Sequence, residues 1–305
     1  MITSIFSKSK PINFIMVAVF VIILFIISNF DQLFTDLNST LKALGKLAIS
    51  IFFILLLDFI ISKNYLTKKN GYAILTFGLL FGLFPEALKY SDLLFANLFV
   101  LFALRRLISL QTNLHLKKKL FDAGFWIMMA TLFHFWAILF FAVVIVALIY
   151  HSKNNLKNVI IPFVGVATVI LLLVAYNIIV HDTFIKSTNF SRFASIDYTV
   201  YNRGDFILKF TVLFTSFVWT LIYFFRNIQD KNKKLKPSFF LIAWSSIIAV
   251  LIAIIAPIKN GSEFLFLFAP FSVIMANYIE VVSEKWFKEV FISLLILAPI
   301  ISLLL

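Results

Sequence analysis

Charged residues are scarce in this chain, and three of them crowd one short segment. Pro85-Glu86-Ala87-Leu88-Lys89-Tyr90-Ser91-Asp92 sets Glu86, Lys89 and Asp92 within two helical turns, between two apolar runs that extend from Gly71 to Leu110. Carboxylates beside an ammonium group are the residue types of acid–base work and of phosphate binding. A second acidic pair, Asp31 and Asp36, lies in the segment 29–40. The stretch His181 to Asp205 carries Lys186, Arg192, Tyr198, Tyr201 and Arg203, and the shorter Lys259 to Glu263 adds another cation. The candidate catalytic residues are therefore Asp31, Asp36 and Glu86. The candidate substrate-binding residues are Lys89, Asp92, Lys186, Arg192, Tyr198, Tyr201, Arg203 and Lys259, with cations suited to phosphate and aromatic rings suited to sugar faces. No pattern demands a cofactor, and a divalent metal is compatible with the carboxylates.

The elements that must position these residues follow from composition. Of 305 residues, 62% are hydrophobic and only 13% charged, where a soluble domain has roughly 25% charged residues. So much apolar surface cannot be hidden in one core, and the solvent of this chain must be lipid. The 39 Phe and only 8 Gly suggest a helical bundle with few close small-residue crossings. The net charge of +13 would point to nucleic acid on a soluble domain. Here it marks the cytoplasmic ends of membrane helices, and no basic soluble domain is present to bind nucleic acid. Cysteine is absent, which removes disulfides and thiol chemistry. His115, His134, His151 and His181 fall at different depths, which excludes a site built from several histidines on one iron.

Hydropathy and the Lys/Arg bias together predict an all-α, polytopic transmembrane helical bundle of about eleven spans, one integral membrane domain over residues 1–305 with a cytoplasmic N-terminus. The first helix, about Pro11–Ser28, has no small-residue cleavage site after it and reads as uncleaved. Leu33, Phe34 and Leu37 are expected on one face of a short helix lying on the membrane surface. Phe121 to Tyr150 is too long for one straight span and suggests two short helices broken near Phe133–Phe135. Simple alternation then puts every Lys/Arg cluster on one side and Asp31, Asp36, Glu86, Asp92, Asp182, Asp197, Asp205 and Glu263 on the other. Lys46 is expected to snorkel outward and Asp58 to reach Lys63 at the cytoplasmic interface.

The order of elements resembles the GT-C superfamily of membrane glycosyltransferases that use polyprenyl-phosphate sugars. The resemblance is carried by the aspartate-bearing first loop, by FDAGFWIMMATLFHFWAIL at Phe121–Leu139, and by KNGSEFLFLFAPFSVIMA at Lys259–Ala276. It implies a catalytic carboxylate in the first outside loop, at Asp31 or Asp36. The whole chain also resembles a family of Phe-rich, basic, polytopic inner-membrane proteins of flavobacterial type, a domain of unknown function. The reading that joins these is a transferase in the bacterial inner membrane, using a lipid-linked sugar at the periplasmic face and with the lipid bilayer as its surroundings. The alternatives are a non-catalytic subunit or scaffold of an envelope complex, and a transporter or flippase.

Overall fold

The structure, a computed structural model, describes residues 2–33, 35–151, 156–184, 194–302 and 304. Every regular element among them is helical. In chain order these are α1 (Ile2–Phe6), α2 (Pro11–Ser28), α3 (Phe30–Leu33), α4 (Leu37–Asn64), α5 (Tyr72–Leu83), α6 (Ser91–Ile108), α7 (Leu116–Phe133), α8 (Phe141–His151), α9 (Leu156–His181), α10 (Gly204–Gln229), α11 (Lys236–Ile255), α12 (Leu265–Val281) and α13 (Lys285–Ser302). Short 3-10 turns, among them Pro85–Leu88 and Ser262–Phe264, join some of them.

Among the described residues, seven helices are long and apolar enough to cross a membrane: α2, α4, α6, α9, α10, α11 and α12. The chain is a multi-pass, all-α membrane protein. Each of the eleven expected passes has a helix, but four fall short of a span on their own. At 12 residues, α5 rises only about 18 Å, well under the ~30 Å of a hydrocarbon core. The α8 segment is also short. α7 opens with Lys117, Lys118, Lys119 and Asp122, and α13 with Lys285, Lys288 and Glu289, so neither offers a full apolar length. The surface helix expected from Leu33, Phe34 and Leu37 is not built that way. α3 ends at Leu33, Leu37 opens the long α4, and Phe34 lies outside the described residues.

The chain divides into two compact units. The first comprises Met1–Leu94, Asp197–Asn232 and Ile258–Leu305; the second comprises Phe95–Ile196 and Lys233–Pro257. At the centre of the first unit is α5, with all 12 of its residues buried. It packs against α2, α4, α12 and α13. Its aromatic rings set the spacing: Phe77 meets Phe81 edge-on at 5.1 Å, and Phe81 meets Phe268 of α12 edge-on at 5.2 Å. The one polar side chain after its first residue, Thr76, donates within its own helix to the Tyr72 carbonyl at 3.0 Å. Pro85 ends α5. A residue before proline is pushed out of the helical region, and Phe84 stands at φ −129°, ψ 73°.

In the second unit α7 lies against α9. Few glycines do not prevent a close crossing here, because two of the 8 sit in it. A Cβ at Gly124 would fall 2.1 Å from the Pro162 carbonyl oxygen, and one at Gly165 would fall 2.4 Å from that of Phe121. Both obstacles are backbone, so neither can step aside. The expected break in Phe121–Tyr150 falls at His134, which leaves the helix at φ −140°, ψ 106° and starts the turn Phe135–Phe140. Arg106, in the basic pair that ends α6, pairs with Asp122 at 2.8 Å.

The crossing yields a test. Gly165→Ala should push the two helices apart and cost about 1–3 kcal/mol, the range for overpacking a filled core. Thermal unfolding of the detergent-solubilised chain should show a lowered midpoint. Gly45→Ala, with open space around the added carbon, should leave it unchanged or raise it. Equal midpoints for the two variants would refute the close crossing.

Candidate functional site

Four charged groups among the described residues of the first unit are buried where an apolar bundle should not hold them, and the site grows from how each is satisfied. Lys46 is 6% exposed and stands on α4, nine residues from Leu37 and so about 14 Å along the helix. It does not snorkel outward. Its Nζ donates to Asn29 Oδ1 at 2.7 Å, to Gln32 Oε1 at 2.8 Å and to the Lys89 carbonyl at 3.1 Å. Asn29 also donates from Nδ2 to the Leu88 carbonyl at 3.4 Å. One ammonium thereby ties the end of α2, the following α3 and the Pro85–Asp92 tip to α4.

Lys209, on α10, is also 6% exposed. Its Nζ lies 3.3 Å from Glu86 Oε1 and 5.2 Å from the centre of the Phe206 ring. Across that ring stands Arg203, whose guanidinium is 5.7 Å from its centre and whose Nε is 3.1 Å from Asp205 Oδ1. Glu86, Arg203, Asp205 and Lys209 line one end of a crevice of about 710 Å³. The rest of its wall is almost wholly apolar, supplied by α2 through Met16, Phe20 and Leu24, by α5 through Leu75 and Leu79, and by α13 through Ile296 and Ile300. Phe20 and Ile300 are partly exposed. The result is a long apolar slot with two cations and two carboxylates at one end. Its size falls in the ordinary range of ligand pockets.

Beside this end lies the turn Lys259–Phe264. Gly261, at φ +91°, makes the turn in a backbone region that a side chain would strain, and a Cβ there would lie 2.9 Å from the Phe84 ring. The turn buries Glu263 to 1% exposure. Glu263 Oε2 accepts from the Asn260 amide at 3.3 Å, while Glu263 Oε1 and Glu86 Oε2 are buried with no hydrogen-bond partner among the described residues. Lys259 is buried as well, 5.0 Å over the Tyr198 ring, and burial pulls its ammonium below the ordinary lysine range. Asn260 donates to the Tyr90 hydroxyl at 2.7 Å.

The structure thus brings the predicted residues together only in part. Of the candidate catalytic carboxylates, Glu86 lines the crevice. Asp36 caps α4: the Ser39 hydroxyl donates to its carboxylate, and its own amide donates back to Ser39 Oγ at 3.3 Å. The Ser39 hydroxyl chiefly, with Thr35 assisting, holds its carboxyl below the usual carboxylate range. Asp31 is exposed on α3. Among the binding candidates, Arg203 lines the crevice and Lys259 lies under the aromatic cluster. Tyr198 stacks at 6.4 Å with Tyr201, which meets Phe210 edge-on at 4.5 Å. Lys89 and Asp92 are exposed, and Lys89 contributes its carbonyl to Lys46. Lys186 and Arg192 lie outside the described residues. Asp58 accepts from Ser62 at 3.4 Å, while Lys63 sits over the Phe59 ring at 5.2 Å.

The residue that sequence reasoning passed over is Lys209. Its signal was available, since an ionisable side chain one turn inside an apolar helix is a functional candidate by default. Among the described residues no three His, Cys, Asp or Glu side chains gather as metal ligands.

The Lys46 knot can be tested directly. Lys46→Ala should leave two amide oxygens and a carbonyl without a donor and destabilise the chain by about 3 kcal/mol, read as a lower unfolding midpoint in detergent. Lys42→Ala, one turn away and exposed, should leave the midpoint where it is. A Lys46→Ala midpoint equal to that of Lys42→Ala would remove the knot from the account.

Comparison with known proteins adds one relation. No curated protein and no solved structure matches this chain. A family profile matches it over residues 1–305, and the chain belongs to that family, the family of unknown function DUF6427.

Proposed function

We propose that this protein is a membrane transferase that seats the lipid part of its substrate in the crevice and works on the headgroup at Glu86 and Lys209. The observation that carries the reading is the Glu86–Lys209 pair at the polar end of an otherwise apolar slot. An amphiphile fits such a slot along its whole length, with the chain against α2, α5 and α13 and the headgroup among the charges. In this reading Lys209 and Arg203 hold phosphate. Glu86 accepts the proton of the attacking group. The resemblance to the GT-C superfamily supports glycosyl transfer from a polyprenyl-phosphate-linked sugar as the reaction class. Tyr198, Tyr201 and Lys259 then belong to the sugar side of the site. The segregation of Lys and Arg along the chain supports the inner membrane of a bacterium, with the site on the periplasmic face.

A second reading has an observation of its own. Glu86 and Asp205 are both held in ion pairs, as they would be in a subunit that binds lipid and catalyses nothing. Radiolabelled sugar incorporation into glycolipid by membranes containing the protein separates the two. Glu86→Gln should lower incorporation about 10²-fold or more, the usual loss on removing a general base. Asp31→Ala should retain most of it, and Asp36→Ala should lose stability before activity because it removes a helix cap. Wild-type incorporation by a well-folded Glu86→Gln variant would defeat the transferase reading and favour the lipid-binding subunit.

A further inference from the structure

The charges at the polar end of the crevice carry more information than their presence. Glu86, Arg203, Asp205 and Lys209 are two anions and two cations, and they sum to zero. They are already paired, Lys209 with Glu86 at 3.3 Å and Arg203 with Asp205 at 3.1 Å. Lys209 is buried, and Glu86 Oε2 is buried with no partner.

Those facts discriminate between headgroups. A purely anionic headgroup would draw the buried Lys209 away and leave the Glu86 carboxylate uncompensated in an apolar slot, which is costly, while the Arg203–Asp205 pair, with its guanidinium exposed, resists less. It would also approach those carboxylates against like-charge repulsion. A neutral headgroup would gain no charge partner from either pair. A headgroup of both signs can exchange with both pairs at once: its anion takes Lys209 and Arg203, and its cation takes Glu86 and Asp205. No charge is then left without an opposite one.

We propose that the crevice selects a lipid whose headgroup carries a primary ammonium close to its phosphate. The proposal rests on the reading that the crevice seats the lipid of the substrate, and it names the headgroup class. Two sources share that chemistry, an aminophospholipid of the bilayer and a polyprenyl phosphate bearing an amino sugar. Either would place its ammonium beside the Glu86 carboxylate, which lines the crevice and meets Lys209 at 3.3 Å.

The test uses the full chain in nanodiscs doped with phosphatidylethanolamine carrying a diazirine in its acyl chain. Crosslinks are mapped by peptide mass spectrometry to the crevice walls on α5 and α13. The same probe with its amine acetylated, and a phosphatidylglycerol probe with the same acyl diazirine, serve as comparisons. The expected result is crevice labelling by the amine-bearing probe about tenfold above both, a modest share of what losing one partner of a desolvated charge pair costs. Glu86→Gln should abolish that preference while leaving acyl-chain labelling in place, and Asp205→Asn should weaken it if Glu86→Gln does not fold. Competition by unlabelled polyprenyl phosphate with and without an amino sugar assigns the source. Displacement only by the aminated polyprenyl phosphate points to it, and resistance to both points to the aminophospholipid. Equal labelling by all three probes, or stronger labelling by phosphatidylglycerol, overturns the headgroup assignment while the crevice stands as a lipid site. Absence of crevice labelling by every probe overturns the lipid-seating reading as well.

Discussion

The ammonium of Lys46 is the interaction on which the candidate site depends. A lysine taken out of water in an apolar bundle must find an acceptor for each of its three N–H bonds. Here the acceptors are the Asn29 and Gln32 side chains and the Lys89 carbonyl, from the end of α2, the short α3 and the tip after α5. All three belong to segments that local propensity leaves undetermined. α3 is only 4 residues long, and the tip is a single 3-10 turn. Once the ammonium gathers them, the end of α2 and the Pro85–Leu88 turn form one wall. That wall turns Glu86 toward the crevice, and Lys209 of α10 meets it there.

The sequence carried the architecture well and the site unevenly, for physical reasons visible in particular residues. Apolar length and basic clusters located the helices, because lipid forces every backbone amide into helical pairing. The break at His134 was legible because about thirty apolar residues exceed one span and His134 sits at their middle. The eleven-pass count included α5, whose short apolar run ahead of Pro85 forms a helix of 12 residues. At the site, Glu86 was found from charge density. Asp36 was singled out as an acid of the first outside loop, although its spacing to Ser39 is that of a helix cap. Composition alone does not distinguish a carboxylate that caps from one that faces a cavity. Lys209 was passed over and Lys46 was expected to snorkel because hydropathy describes a helix one segment at a time, whereas Lys209 meets a carboxylate 123 positions away and Lys46 meets acceptors 14, 17 and 43 positions away.

The crevice has a similarly non-local origin. α5 packs against both α2 and α13, which enter the chain at opposite ends. Neither flanking helix is unusual by itself, and both present apolar side chains that lipid alone would accept. The slot exists because Leu75, Leu79 and Gly82 of one α5 face meet side chains from both of these helices. A surface of that kind cannot be recognised from periodicity, since lipid-facing and crevice-facing positions use the same residue types.

Counting satisfied bonds separates the buried lysines by role. Lys46 has three acceptors for three donors and nothing left to offer a ligand, which marks it as structural. Lys209 has one carboxylate oxygen at 3.3 Å and an aromatic face, so two of its N–H bonds have no oxygen acceptor among the described residues. Its partner Glu86 likewise keeps one oxygen unfilled. A buried pair with unused valence on both members is costly to maintain. The two ammonium groups are equally buried. The difference between a residue that holds the tip in place and one that can act on a substrate lies in how many of their bonds the protein itself completes.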